Sequence, residues 1–241
     1  MDYREFVATL SSEGDAFVTA ARHAGVEAPV PPCPDWTVAD LCAHVGRLHR
    51  WAGEIVRLRP APAGRDWRDR IQPPSGPALI DFVVEGLAAF VDVLDAARPG
   101  DACWTWVDVQ NVGFWARRQA HEIAIHRWDA QSASGEPDPI ERTLAIDGIQ
   151  ELFDIRPFRP GGPPPGHGET IHLHCTDGEG EWLARFEPEG AVVTHEHAKG
   201  DVAVRGTASD LLLLMWGRIT PDRVEVFGDE SLLTGWRDGT R

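Results

Sequence analysis

The segment WTVADLCAHVGRLHRW, residues 36–51, decides how the first half of the chain folds. It opens with a capping box, in which Thr37 is the N-cap residue and Asp40 stands three positions later. Trp36 and Leu41 occupy the two positions of a hydrophobic staple, which sets the direction in which a chain enters a helix. Together these signals predict a helix that begins directly after Thr37.

Apolar residues then recur every three or four positions, as expected for a helix with one buried face. The stripe consists of Leu41, His44, Val45 and Leu48. We expect the helix to reach about residue 58, with His44 pointing into the interior and His49 at the edge of the stripe. A buried imidazole needs a polar partner, which could be a backbone carbonyl or a metal shared with a facing helix.

Three other segments show the same helical periodicity: residues 3–24, 76–100 and 112–133. The third helix is stopped by Pro99-Gly100. Four long helices with such connections predict a four-helix bundle. A fifth helix, at about 139–154, is assigned to the same half of the chain.

The sequence changes character at a Pro/Gly-rich linker, RPFRPGGPPPGHGE, residues 156–169. Beyond it, stretches of alternating polar and apolar residues are typical of an antiparallel sheet, and the apolar segment ASDLLLLMWGRI predicts a helix packed on it. A final strand and a short helix follow. The predicted fold class is therefore α+β, with a four-helix bundle over 1–158 and a small α/β domain over 165–241.

The composition excludes several classes of partner. A net charge of -15 argues against binding to nucleic acid or to an anionic membrane, which both require a basic surface. No apolar run is long enough for a transmembrane helix, and the acidic N-terminus is unlike a signal peptide, so a cytoplasmic protein is expected. The four cysteines are scattered and are expected to be buried free thiols.

The segment ARRQAHEIAIHRWDAQ, residues 116–131, contains a near match to the zinc-protease motif H-E-x-x-H. At about 100° per residue, His121 and His126 point roughly 140° apart, so they cannot easily share a metal. Glu122 and His126 are four residues apart and therefore lie on one helix face. They could be two ligands of a metal that takes a third ligand from elsewhere, or a simple polar pair on a solvated face.

Two H-x-H pairs occur in the second half of the chain. His172 with His174, and His195 with His197, each alternate with one residue on a predicted strand. Such spacing puts both imidazoles on one face of a sheet, which suits either a solvated strand face or a metal.

Two motifs in the first half resemble those of the mycothiol-dependent maleylpyruvate isomerase family, part of the wider DinB-like group of metal-binding four-helix bundles. They are P-x-W-T-V-x-D-L-x-x-H-V-G and R-x-x-x-E-x-x-x-H-R-W-D. The matching residues are Pro34, Trp36–Val38, Asp40, Leu41, His44–Gly46, Arg118, Glu122 and His126–Asp129. In the second half, Val204–Arg218 is similar to the signature of the small sterol-carrier-like domain that follows the bundle in this family.

The resemblance implies a metal triad of His44, Glu122 and His126. Three protein ligands leave one position open, as in catalytic sites, with zinc the first candidate and nickel or iron also compatible. The implied cofactor is mycothiol, the low-molecular-weight thiol of actinobacteria. Lys199 is the only lysine among the 23 Lys+Arg residues, a bias towards arginine that is typical of a high-GC genome and fits such a host.

The chemistry implied is addition of the thiolate to a conjugated cis double bond, rotation about the resulting single bond, and elimination. An arginine of the second domain is then expected to hold the substrate carboxylate, with Arg218 the first candidate and Arg205 the second. Arg118 is expected to orient Glu122. Asp129 is expected either to orient an imidazole or to bind polar groups of the thiol.

Three functions remain open on these grounds. The first is an isomerase that acts on a maleylpyruvate-like diacid, the second a mycothiol S-transferase, and the third a non-catalytic metal- or ligand-binding protein. The expected partners are a small-molecule substrate and the thiol, and the chain is expected to be a monomer or a small homo-oligomer.

Overall fold

The structure, a computed structural model, describes residues 1–59, 68, 70–155, 166–188 and 190–238. Residues 156–165, which make up most of the predicted linker, lie outside the described residues. The chain divides into two compact units, Met1–Asp138 and Pro139–Arg241. Among the described residues, no helix combines the length and the apolar character that a membrane span requires.

The first unit is built from four long helices, as predicted. They are α1 (Tyr3–Ala24), α2 (Val38–Leu58), α3 (Ala78–Asp95) and α4 (Val112–Ser132). Helix α1 packs along α4, and α2 packs along α3. The interior contains fully buried aromatic and aliphatic side chains from all four helices, including Phe17, Ile55, Phe90 and Trp115.

Helix α2 begins where the sequence predicted, which matters because it carries His44. The Thr37 hydroxyl accepts a hydrogen bond from the Asp40 amide at 3.3 Å, and the Asp40 carboxylate accepts one from the Thr37 amide at 2.9 Å. This capping box satisfies two of the N–H groups that a helix leaves without partners at its start. The hydrogen bonds to Thr37 also lower the pKa of Asp40.

The second unit contains helix α5 (Arg142–Ile155) and a five-stranded sheet. The strands are β1 (Thr170–Cys175), β2 (Glu181–Glu187), β3 (Gly190–Thr194), β4 (Val202–Gly206) and β5 (Glu225–Gly228). Their order in the sheet is β3-β2-β1-β4-β5. Helix α6 (Ala208–Met215) follows β4, a short 3-10 helix covers Pro221–Arg223, and α7 (Ser231–Asp238) follows β5.

Helix α5 belongs to the second unit, so the boundary predicted near residue 160 must move to Asp138/Pro139. The helix packs on α6. Just before it, the Ile140 amide donates to the Ser209 hydroxyl at 2.9 Å, and the Trp182 indole donates to Gln150 on the helix at 3.2 Å. The prediction placed α5 in the first unit because an apolar helix face indicates that the helix is buried but does not identify the element that it packs against.

The sheet is mixed, whereas the alternating pattern had predicted an antiparallel one. Strands β1 and β4 are parallel, and the other three pairs are antiparallel. The reason is the connection from β3 to β4, residues 195–201, which crosses from one edge of the sheet over β2 and β1. This connection contains His195 and His197, because β3 ends at Thr194. The prediction that these two histidines lie on a strand was therefore wrong.

Candidate metal centre

Helices α2 and α4 bring together the three side chains that the resemblance singled out. His44 Nε2 lies 3.3 Å from Glu122 Oε1, and His126 Nε2 lies 3.3 Å from the same oxygen. All three ligand atoms lie within 4.8 Å of one another. The Glu122 Oε1 atom thus lies between two imidazole nitrogens. His44 and Glu122 are 78 positions apart in the sequence, so the fold brings them together.

His121 takes no part in this cluster, as the helical spacing predicted. Its ring is buried and makes an edge contact with Phe6 of α1, with ring centroids 5.9 Å apart. The near match to H-E-x-x-H therefore has no structural counterpart.

Two buried charged residues contact members of the triad on the side away from the shared oxygen, Glu122 Oε1. Arg118, one turn before Glu122, forms an ion pair with its second oxygen, Oε2. Asp129 is fully buried, and its Oδ2 lies 3.0 Å from His126 Nδ1. When Nδ1 carries the proton, Nε2 presents its lone pair towards Glu122 and His44. Of the two roles expected for Asp129, this position favours orienting the imidazole.

The donor set fits a divalent metal. Two imidazole nitrogens and one carboxylate oxygen are the ligands of many catalytic zinc sites, which leave a fourth position for water or substrate. In such sites, a ligand histidine usually donates a hydrogen bond from its other ring nitrogen to a carboxylate or a carbonyl, which fixes the orientation of the ring. His126 has this arrangement through Asp129.

The cluster is open on the side of His44. The His44 side chain is 32% exposed, whereas Glu122 and His126 are more covered. His49, expected at the edge of the stripe, is instead only 1% exposed and stacks on Phe90. Burial lowers the pKa of His49 to about 3, helped by His126, Arg50 and His44, so it is neutral at pH 7. His44 thus reaches Glu122 and His126 as expected, whereas His49 is more deeply buried than predicted.

Trp36 forms a wall of the cluster that the sequence did not reveal. Its ring stacks over His126, with centroids 6.4 Å apart, and lies 5.1 Å from the His44 ring. Its position directly before the N-cap had suggested only a hydrophobic staple with Leu41. The stacking restrains the His126 ring, and the contact with His44 places an apolar surface beside the open side of the cluster.

The second-unit arginines are placed as follows. Arg218 lies three residues after the end of α6 and is half-buried, and its Nη1 donates to the Trp216 carbonyl at 3.1 Å. Arg205 lies on β4, is exposed, and pairs with Glu225 at 3.3 Å.

Family models match both halves of the chain. The model described as "Mycothiol maleylpyruvate isomerase N-terminal domain" matches residues 7–131, which hold the whole His44–Glu122–His126 cluster. The chain belongs to the mycothiol maleylpyruvate isomerase family. The model of the family's C-terminal domain matches residues 143–235, which begin within α5 and so agree with the boundary after Asp138.

Two solved structures show the fold of this family. A crystal structure of a histidine-to-alanine mutant of the mycothiol-dependent maleylpyruvate isomerase has a TM-score of 0.69 at 13% identity, and covers 94% of this chain and 93% of its own. The structure of that enzyme without the mutation has a TM-score of 0.65 at 14% identity, with the same coverage. At this identity the likeness establishes the fold, a helical bundle followed by a mixed α/β domain. A comparison with curated proteins gave no match.

Proposed function

We propose that this protein is a mycothiol-dependent metalloenzyme that isomerises a maleylpyruvate-like unsaturated diacid from cis to trans. The observation that carries the proposal is the convergence of His44, Glu122 and His126 on one point, with an open side, in a chain that belongs to this family. A divalent metal, with zinc the first candidate, would be held by these three side chains and would favour the thiolate form of a bound thiol.

The chain's own residues prepare that centre. Asp129, whose Oδ2 lies 3.0 Å from His126 Nδ1, would keep the proton of His126 on that nitrogen. Arg118 pairs with Oε2 of the Glu122 carboxylate, while Oε1 faces the two imidazoles. Both supporting side chains are buried, so the ligand atoms are held in place before anything binds. Trp36 covers one side of the cluster by stacking on His126.

Arg218 is proposed to bind a carboxylate of the substrate. A guanidinium stays charged at any physiological pH and can hold a carboxylate through two parallel hydrogen bonds. The same charge would stabilise negative charge that develops when a thiolate adds to the double bond.

The experiment that tests the proposed function is a turnover assay at substoichiometric thiol. Metal-loaded protein is mixed with maleylpyruvate and one-tenth equivalent of mycothiol, and cis and trans acids and free thiol are followed by NMR. An isomerase converts all of the substrate and leaves the thiol concentration unchanged. An S-transferase stops after one-tenth of the substrate, with the thiol consumed. If the protein carries metal but gives neither result, the substrate assignment is wrong.

A second prediction concerns Asp129→Asn, which keeps the size of the side chain and removes its charge. Because the carboxylate raises the basicity of His126, the variant is expected to bind zinc roughly tenfold more weakly, at the lower end of the range for such supporting residues. Zinc affinity is measured by competition with a chromophoric chelator. Unchanged affinity, with only a lower melting temperature in chelator, would make Asp129 a purely structural residue.

A further inference from the structure

A second cluster of histidines lies in the other unit, on one face of the sheet. Side chains two residues apart on a strand share a face, so His172 and His174 of β1 point the same way. Glu181 of β2 pairs directly with His174 in the antiparallel register and lies on that face too. The strand pairing therefore places two imidazoles and one carboxylate side by side.

The connection between β3 and β4 brings a third imidazole onto this face. Residues 195–201 pass over β2 and β1 on their way to β4. Gly200 packs so tightly on β1 that a Cβ there would lie 3.1 Å from the His172 Cβ. His197, on the same connection, reaches Glu181 through its Nδ1.

The polar atoms converge on Glu181 Oε1. His197 Nδ1 lies 2.7 Å and His172 Nε2 lies 4.0 Å from this oxygen, and His174 Nδ1 also contacts it. The ligand atoms of His172, Glu181 and His197 all lie within 4.8 Å of one another. Zinc–nitrogen bonds of about 2.0 to 2.1 Å put the ligands of a tetrahedral site about 3.3 Å apart, so small rotations of these side chains would suffice.

His172 supplies an independent observation. It is only 5% exposed, and among the described residues its Nε2 has no hydrogen-bond partner although it points towards the cluster. Leaving a buried polar atom unsatisfied costs about 1 to 3 kcal/mol, so such an atom calls for an explanation, and a bound ion is one that the neighbouring imidazoles and carboxylate would supply. His195, two residues before His197, instead faces the Glu181 backbone carbonyl at 2.9 Å.

We propose that His172, Glu181 and His197 form a second metal site for a divalent transition metal of the zinc type. Three protein ligands would hold the ion, and the loss of one of them would leave a two-ligand remnant that binds it weakly. The metal would fasten the 195–201 connection onto the sheet and satisfy His172 Nε2. The site uses no residue of the bundle and does not rest on the proposed function.

The test counts zinc per chain after equilibrium dialysis of the full-length protein, by mass spectrometry of metals. His197→Ala is the main variant, because this side chain is 80% exposed and its loss should not disturb folding. His195→Ala is the matched control on the same connection, and His44→Ala removes the bundle cluster. The expected counts are two zinc ions for the wild type and His195→Ala, and one each for His197→Ala and His44→Ala.

Melting temperature provides the second readout. In the His44→Ala background, zinc is expected to raise the melting temperature, and adding His197→Ala should abolish this shift, whereas adding His195→Ala should not. Equal zinc counts and shifts in the His195→Ala and His197→Ala variants would overturn the proposal and indicate nonspecific binding by surface histidines. If only the His197→Ala variant behaves as expected and His44→Ala still carries both metals, the second site stands and the bundle site fails.

Discussion

His44→Ala is expected to lose the bundle metal and at least about a thousandfold of the isomerase activity, while the bundle stays folded. His44 supplies one of three ligand atoms, and a two-ligand remnant of Glu122 and His126 holds a divalent ion weakly. A metal that stabilises developing charge contributes several kcal/mol to the transition state, and each 1.36 kcal/mol corresponds to about tenfold in rate. The measurements are kcat/KM with saturating mycothiol and zinc content per chain.

Folding can be separated from metal loss in this variant. The His44 side chain is about one third exposed, so its truncation is expected to cost no more than about 1 kcal/mol of unfolding free energy when both proteins are compared in chelator. His23→Ala, which removes an exposed histidine near the end of α1, is the control and should keep both metal and activity. Full activity in metal-free His44→Ala would show that the reaction does not depend on this cluster.

The helices could be read from the sequence because their signals are local. The capping box at Thr37 and Asp40 and the spacing of apolar residues depend only on neighbours a few positions away. The predicted α2 and α4 accordingly match the observed Val38–Leu58 and Val112–Ser132 closely. The sequence analysis placed α5 in the wrong unit and did not predict the parallel pairing of β1 with β4. Both features depend on contacts between distant parts of the chain, which periodicity does not encode.

The candidate metal cluster was predicted in two different ways. Helix geometry alone places Glu122 and His126 on one face and excludes His121. It could not identify His44 as the third ligand, since the register between two helices depends on the packing of the whole bundle. That residue came from the family resemblance. The contact of Trp36 with the cluster was missed because a hydrophobic staple already explains an aromatic residue before an N-cap. The stacking of its ring on His126 depends on the packing of α2 against α4.

The second H-x-H pair shows that a local spacing can also predict an arrangement that the fold does not form. His195 and His197 were assigned to a strand, where they would share one face of the sheet. In the structure they lie on the connection that crosses the sheet, so they point to different atoms, the Glu181 carbonyl and the Glu181 carboxylate. A spacing of two residues is informative about metal ligands only when the backbone is extended at that point.

Arg218→Ala is expected to lower kcat/KM for the diacid by about a hundredfold without changing the metal content. The size follows from the loss of one preorganised donor group that meets negative charge in the transition state. Zinc content should stay at the wild-type value, because the guanidinium is not a ligand. Arg218→Lys keeps the charge but not the paired hydrogen bonds, so it is expected to recover only part of the loss. The assay is isomerisation at saturating thiol, with KM and kcat determined separately.

Arg205→Ala is the matched control, since Arg205 belongs to the same unit and also carries a full charge. It lies exposed on β4 with Glu225 as its partner, and exposed ion pairs contribute about 0 to 1 kcal/mol, so its removal should leave both activity and stability nearly unchanged. A large loss in Arg205→Ala with little effect in Arg218→Ala would exchange the two roles. Wild-type activity in both variants would mean that the substrate carboxylate is bound by neither arginine, while the metal assignment, which His44→Ala tests independently, would be unaffected.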